Sequence, residues 1–230
     1  MNRVVVFAGE GEYRSDETMK VVADDIRDEL GADVTYRTPD VLEDYPEFPE
    51  SSFGGLSELS AADLLVIYTR FRRLPDAEMV QLADYLAGGG AVLGLRTSTH
   101  AFHFPPESHW AEWNDGFGRD VLGSPWISHH GHDSSTDISR SRVHPVLAGI
   151  DESFHSRSWL YRVELSAGCV PLLHGDPIDP EDEPTPGPVA WVRETDDRRA
   201  FFTSLGHPDD FALTPFRRLL VNAAGWCLAP

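Results

Sequence analysis

The run His129-His130-Gly131-His132-Asp133 places three imidazoles and a carboxylate within five residues. Imidazole titrates near neutrality, so the run suits proton transfer. Two imidazoles plus a third ligand also suit zinc, with an open fourth position for water or substrate. On a strand, His130 and His132 are two apart and point to one face. They are therefore the candidate ligand pair, and a divalent metal such as zinc is the candidate cofactor. His-x-His spacing does not by itself supply the third ligand, so a metal-free polar site and a plain surface loop stay open. Another imidazole, His207, follows the apolar run Ala200-Phe201-Phe202-Thr203. At the end of a buried strand it would face a cleft as acid or base; the alternative is a histidine that caps the next loop. His100 and His103 follow a different apolar run and could converge on the same place or stay partly buried.

Charged groups recur just after apolar runs. Glu10, Glu12 and Tyr13 follow Val4-Val5-Val6-Phe7, Arg70 and Arg72 follow Leu64-Leu65-Val66-Ile67-Tyr68, and Arg96 follows Ala91-Val92-Leu93-Gly94-Leu95. Guanidinium and carboxylate groups suit sugar hydroxyls, which they meet with several hydrogen bonds. A buried arginine can also hold developing negative charge. The catalytic candidates are thus His207, His130 and Arg96. Glu10, Tyr13, Arg70, Thr97 and His132 are the substrate-binding candidates. An internal Glu–Arg salt bridge that orders the loops fits the same residues. Trp110, Trp113, Trp126 and Trp159 could stack on a sugar ring or simply fill core.

Parallel strands buried on both faces would position such groups. The apolar runs near residues 4, 64 and 91 read as such strands. Met19, Val22, Ala23, Ile26 and Leu30 fall at helical spacing before the stop at Gly31, and Asp33 to Arg37 reads as a strand. Pro75 starts a second helix carrying Met79, Leu82, Ala83 and Leu86. This alternation predicts an α/β fold with a doubly wound, mostly parallel sheet and ligands at the carboxyl ends of its strands. Thr38 to Ser60 reads as a loop. A loop-rich insertion is expected over about 102–151, with a short helix near Pro106 to Phe117. Beyond Trp159 the pattern predicts short strands at Tyr161–Leu165, Val170–Leu173, Val189–Val192 and Ala200–Ser204. An acidic loop spans Asp176 to Pro188, and a closing helix carries Phe216, Leu219, Leu220, Ala223 and Trp226.

With 230 residues, 41% of them hydrophobic, the chain suits one large domain, 1–230, with no need of disulfides. Cys169 and Cys227 lie in apolar stretches and read as free buried thiols, which fits a reducing compartment. The amino terminus lacks the h-region of a signal peptide, and no apolar run is long enough to span a bilayer. A cytoplasmic location is expected. A net charge of -19, with Lys20 the only lysine, disfavours nucleic acid and anionic lipid as partners. A small polar substrate is the expected partner, and a homo-oligomer is left open.

Several segments together resemble the ThuA-like (trehalose utilisation) family, a branch of the class I glutamine amidotransferase-like fold. They are Tyr68-Thr69-Arg70 with Leu74-Pro75-Asp76, then Gly88-Gly89-Gly90 running through Leu95 into Arg96-Thr97-Ser98-Thr99. His144-Pro145 with Gly149, Pro188-Val189-Ala190-Trp191, Phe202-Thr203-Ser204-Leu205-Gly206-His207 and Phe216-Arg217-Arg218-Leu219-Leu220 complete the set. The resemblance implies a flavodoxin-like sheet and a link to carbohydrate metabolism, including breakdown of oxidised (keto) disaccharides. Two positions depart from the family pattern: Arg96 stands where a His is common, and Gly9-Glu10-Gly11-Glu12-Tyr13 replaces a Gly-Gly-His loop. An amidotransferase needs a Cys at the strand-to-helix elbow and a His from a later strand. Arg96 and Thr97 hold that elbow, so a Cys-dependent glutaminase is not expected. The expected function is acid–base transformation of a sugar or keto-sugar. A non-catalytic sugar-binding module and a Thr- or Ser-dependent hydrolase are the alternatives.

Overall fold

The computed structural model describes residues 1–42 and 50–229. The part of the expected Thr38–Ser60 loop at 43–49 lies outside the described residues. The strands are β1 (Arg3–Gly9), β2 (Asp33–Arg37), β3 (Leu64–Thr69), β4 (Ala91–Leu95), β5 (Ser128–His129), β6 (Ser135–Arg140), β7 (Ser153–Ser156), β8 (Tyr161–Arg162), β9 (Cys169–Ile178), β10 (Gly187–Glu194) and β11 (Arg199–Thr203). The helices are α1 (Ser15–Leu30), α2 (Asp76–Ala87), the short α3 (Trp113–Gly116) and α4 (Thr214–Cys227).

A nine-stranded sheet runs in the order β2-β1-β3-β4-β11-β10-β9-β6-β7. From β2 to β11 every pairing is parallel. From β11 to β7 every pairing is antiparallel. The sheet is therefore mixed, and the expected mostly parallel character holds only for its first half. Side chains alternate across it as strand geometry requires. Val4, Val6 and Ala8 of β1 join Met19, Val22 and Ile26 of α1 and Phe216, Leu219 and Leu220 of α4 in one core. Val5 and Phe7 join Met79, Leu82 and Leu86 of α2 and Phe117 and Leu122 beyond α3 in the other. Strands buried on both faces explain the unbroken apolar runs in the sequence.

Part of the expected insertion joins the same sheet, while β5 within it pairs with β8 in a separate two-stranded sheet. Residues 135–140 form β6, which pairs with β9 and β7. Its six residues, Ser-Thr-Asp-Ile-Ser-Arg, bury only Thr136 and Ile138. The sequence hides this strand because threonine takes an inward position, its hydroxyl donating to the Ser158 carbonyl at 2.7 Å. The acidic loop shortens to 179–186, between β9 and β10.

The helical turn after α3 packs tightly on the loop that leaves β4. A Cβ at Gly118 would lie 2.3 Å from the Thr99 carbonyl oxygen and 2.8 Å from that of Ser124. Only glycine lets these backbones approach so closely.

Candidate functional site

The parallel strands all end at one edge, and three non-glycine residues with positive φ lie just past it. They are Arg14 (φ 53°), Phe71 (φ 49°) and Arg96 (φ 42°). Left-handed backbone at such residues costs energy, and it gathers where function is built. Arg96 opens a 3-10 turn over Arg96–His100 directly after β4. This is the elbow, and its side chain is fully buried. Arg96 Nη1 donates to the Ser204 carbonyl at 2.9 Å and Nη2 to the Tyr13 hydroxyl at 3.4 Å. Its Cζ lies 4.3 Å from the Trp159 ring centre, 4.5 Å from that of Tyr13 and 5.0 Å from that of Tyr161. Among the described residues no carboxylate lies within ion-pair distance, and Nε has no hydrogen-bond partner. Three π faces thus stand in for the missing anion, each contributing about 1–2 kcal/mol in a desolvated setting.

The elbow hydroxyls are tied to β3. Thr97 Oγ1 donates to the Thr69 carbonyl at 2.9 Å, and Ser98 Oγ to the Ile67 carbonyl at 2.8 Å. Thr99 Oγ1 lies 3.3 Å from His100 Nδ1. Thr97 therefore serves packing, and its expected place on a substrate has no open donor. His100 is buried, which pushes its pKa down to about 3, helped by the positive charges of Arg70 and Arg96.

At the rim, Glu10 is fully buried and its Oε2 accepts from the Tyr13 amide at 2.5 Å. Arg70 Nε lies 3.3 Å from Glu10 Oε1, and Arg70 Nη1 pairs with Glu12. The carboxylate–guanidinium set is an internal network between the loops after β1 and β3. Burial raises the Tyr13 hydroxyl pKa to about 12 against the opposing pull of Arg96, so it stays protonated.

The facing wall comes from a separate two-stranded sheet, β5 with β8, from the segments flanking it, and from the loop after β11. Trp159 is its centre: the ring of His132 lies 4.8 Å away, that of His129 6.0 Å and that of His207 6.2 Å. His129 and His132 are 4.5 Å apart. His129, on β5, pairs with Tyr161 of β8, which fixes the wall against Arg96. His207 is held by the buried Asp210. That carboxylate accepts from the Ser158 hydroxyl at 2.6 Å, the Ser156 hydroxyl at 2.9 Å and the Gly206 and His207 amides at 3.1 Å.

The structure corrects the sequence reading of the histidine run. β5 ends at His129, and Gly131 (φ 99°) turns the chain. The pair on one face is His129 with His132. His130 points the other way, fully buried, with Nδ1 3.2 Å from Asp182 Oδ1 and 3.3 Å from Arg162 Nη2. Its Nε2 has no partner. So His130 anchors the 179–186 loop, where the Glu181 amide also donates to the His130 carbonyl at 3.0 Å. Among the described residues no three His, Cys, Asp or Glu side chains meet as a metal site. His103 is exposed near Phe71, while Trp110 and Trp113 pack around Phe102 and Phe117, away from Trp159. A broad hollow of about 500 Å³, lined by residues such as Leu56, Ser57, Gln81, Tyr85 and Gly90, lies at the opposite, amino edge of the strands.

The structure thus unites Arg96, Tyr13, His132 and His207, with Arg70 and Glu10 beside them, and adds His129, Tyr161 and Asp210. His129 was hidden by one register step: strand alternation separates it from His132, and only the Gly131 turn reunites them. Asp210 closes a capping box with His207, but its other partners, Ser156 and Ser158, lie about fifty residues earlier, which no spacing reveals.

Fold and site define a mixed α/β protein with a polar, aromatic-lined site at the carboxyl edge of its parallel strands. The sequence model of the ThuA family, described as trehalose utilisation, matches residues 3–227, and the chain belongs to this family. A ThuA-like protein from Parabacteroides merdae superposes with a TM-score of 0.71 at 18% identity, over 99% of this chain and 90% of that one. A cytoplasmic protein from Salmonella typhimurium gives 0.59 at 13% identity, over 99% of both chains. The carbohydrate deacetylase Agd3 gives 0.55 at 13% identity, over 98% of this chain and 33% of its own. At these identities the structural likeness speaks for the fold alone. No curated protein matches the sequence. No helix among the described residues is long and apolar enough to cross a membrane.

Proposed function

We propose that this chain binds a sugar or keto-sugar at the carboxyl edge of a flavodoxin-like, doubly wound half-sheet and transforms it by acid–base chemistry in the cytoplasm. No cysteine nucleophile takes part. The observation that carries the reading is the set of imidazoles from His129, His132 and His207 around the Trp159 indole, backed by the Arg96 cation. An indole suits the apolar face of a sugar ring, and imidazoles suit its oxygens. His132 is exposed, and its ring nitrogens have no hydrogen-bond partner among the described residues, so it takes the proton-accepting role. Arg96 lies behind the rings, so its charge acts through them as a fixed field on developing negative charge.

The substrate class follows from the family match together with this chemistry, and isomerisation or lyase cleavage next to a carbonyl is the reaction type. The elbow hydroxyls donate to β3 carbonyls, which argues against a Thr- or Ser-dependent hydrolase. Calorimetric titration with trehalose and with a keto-disaccharide, followed by product analysis, tests the reading. Binding with turnover that falls in His132→Ala and His207→Ala is expected. Binding without turnover would make the chain a sugar-binding module. No binding of either sugar at millimolar concentration would sink the carbohydrate assignment.

A further inference from the structure

The ring nitrogens of two cleft histidines are fixed by their own backbone. His129 Nδ1 lies 3.0 Å from the Gly131 amide nitrogen, and His207 Nδ1 lies 3.2 Å from that of Asp209. A backbone N–H can only donate. Each Nδ1 therefore presents its lone pair to that N–H, the Asp209 carboxylate lying farther from His207 Nδ1 at 3.5 Å, and in the neutral ring the proton sits on Nε2. Neither Nε2 has a hydrogen-bond partner among the described residues, and both rings are only partly buried beside Trp159. We propose that His129 and His207 meet the substrate as neutral Nε2–H donors to a sugar carbonyl or hydroxyl oxygen, which makes His129 a further catalytic residue.

The surroundings keep both rings neutral. Burial lowers the pKa of His129, and His132 and Arg96 lower it further, while Glu181 and Glu12 oppose them. Burial also lowers that of His207, with Asp209 and Asp210 opposing and Arg96 and Arg157 adding to the fall. A neutral imidazole N–H polarises a carbonyl without giving up its proton, so the proton balance of the reaction falls to His132. The same tautomer disfavours a metal on His129 Nε2. Ligation there needs the ring proton on Nδ1, where it would point head-on at the Gly131 N–H.

The substrate half of this inference rests on the proposed function; the tautomer half does not. Long-range proton–nitrogen correlation spectra of the 15N-labelled full chain at pH 7, assigned with His129→Gln and His207→Gln, read the tautomers directly. The Nε2–H pattern in both rings is expected. An Nδ1–H pattern or an imidazolium in either ring overturns the proposal. With a keto-disaccharide as probe, His129→Ala should lower kcat/KM by about 100-fold, the usual cost of one such donor. His129→Gln, which keeps an N–H, should recover part of it. An unchanged kcat/KM in His129→Ala removes the catalytic role whatever the spectrum shows. If the probe does not bind wild-type protein, the carbohydrate reading fails, and the donor assignment stands or falls on the spectrum.

Discussion

The two walls of the cleft are built on opposite terms. The elbow wall, Arg96 to His100, is buried throughout, and the hydroxyls of Thr97 and Ser98 donate to carbonyls of β3. The facing wall leaves His129 and His207 partly exposed and His132 exposed, with Nδ1 of His129 and of His207 held by backbone amides. The elbow here holds a cation in place. In the proposed function, reactive capacity lies instead on the facing wall.

The comparison can be broken from either side. The largest effect is expected from Asp210→Ala, which leaves the Ser156 and Ser158 hydroxyls and the Gly206 and His207 amides without their acceptor. A loss on the order of 3 kcal/mol should appear in urea unfolding. A loss below about 1 kcal/mol would show that the histidine wall does not depend on it.

Next comes the pH dependence of the floor. The folded pKa of His100 is depressed to about 3 from 6.5. The unfolded chain therefore binds the extra proton below about pH 6.5, so the stability is present above that pH and is lost as pH falls toward 3. The slope approaches about 1.4 kcal/mol per pH unit in that window. His100→Phe should flatten the stability–pH curve between pH 6.5 and 4. An unaltered curve would mean that the ring is protonated in the folded state.

The smallest effect should come from Asp182→Asn. Asp182 is exposed and bridges Arg162 and His130. The unfolding midpoint should not move, but cleavage of the 179–186 loop at Glu181 or Glu183 by a glutamate-specific protease should quicken. Unchanged cleavage would remove His130 as the anchor of that loop.

The parallel half was legible because strands buried on both faces leave continuous apolar runs, and every helix that covers them shows a 3.6-residue stripe. The candidates beyond those runs (Glu10, Arg70, Arg96, His207) were legible for the same reason, since a strand end fixes which edge a residue reaches. The antiparallel half and the separate sheet of β5 and β8 were only partly legible. β6 is polar in sequence, and β5 and β8 are two residues each. The histidine run was read on the wrong alternation, because Gly131 breaks the strand that the alternation assumed.

By itself, then, the sequence determined the α/β class, the ThuA resemblance and the absence of an elbow cysteine. Those follow from local pattern and residue identity. Only the tertiary structure decided that Arg96 is enclosed by Tyr13, Trp159 and Tyr161, that His129 replaces His130 in the cleft and that Asp210 positions His207. The first joins segments far apart along the chain, the second turns on the backbone at Gly131, and in the third Asp210 ties its neighbour His207 to the distant Ser156 and Ser158; packing sets the long-range contacts, which no spacing of residues encodes.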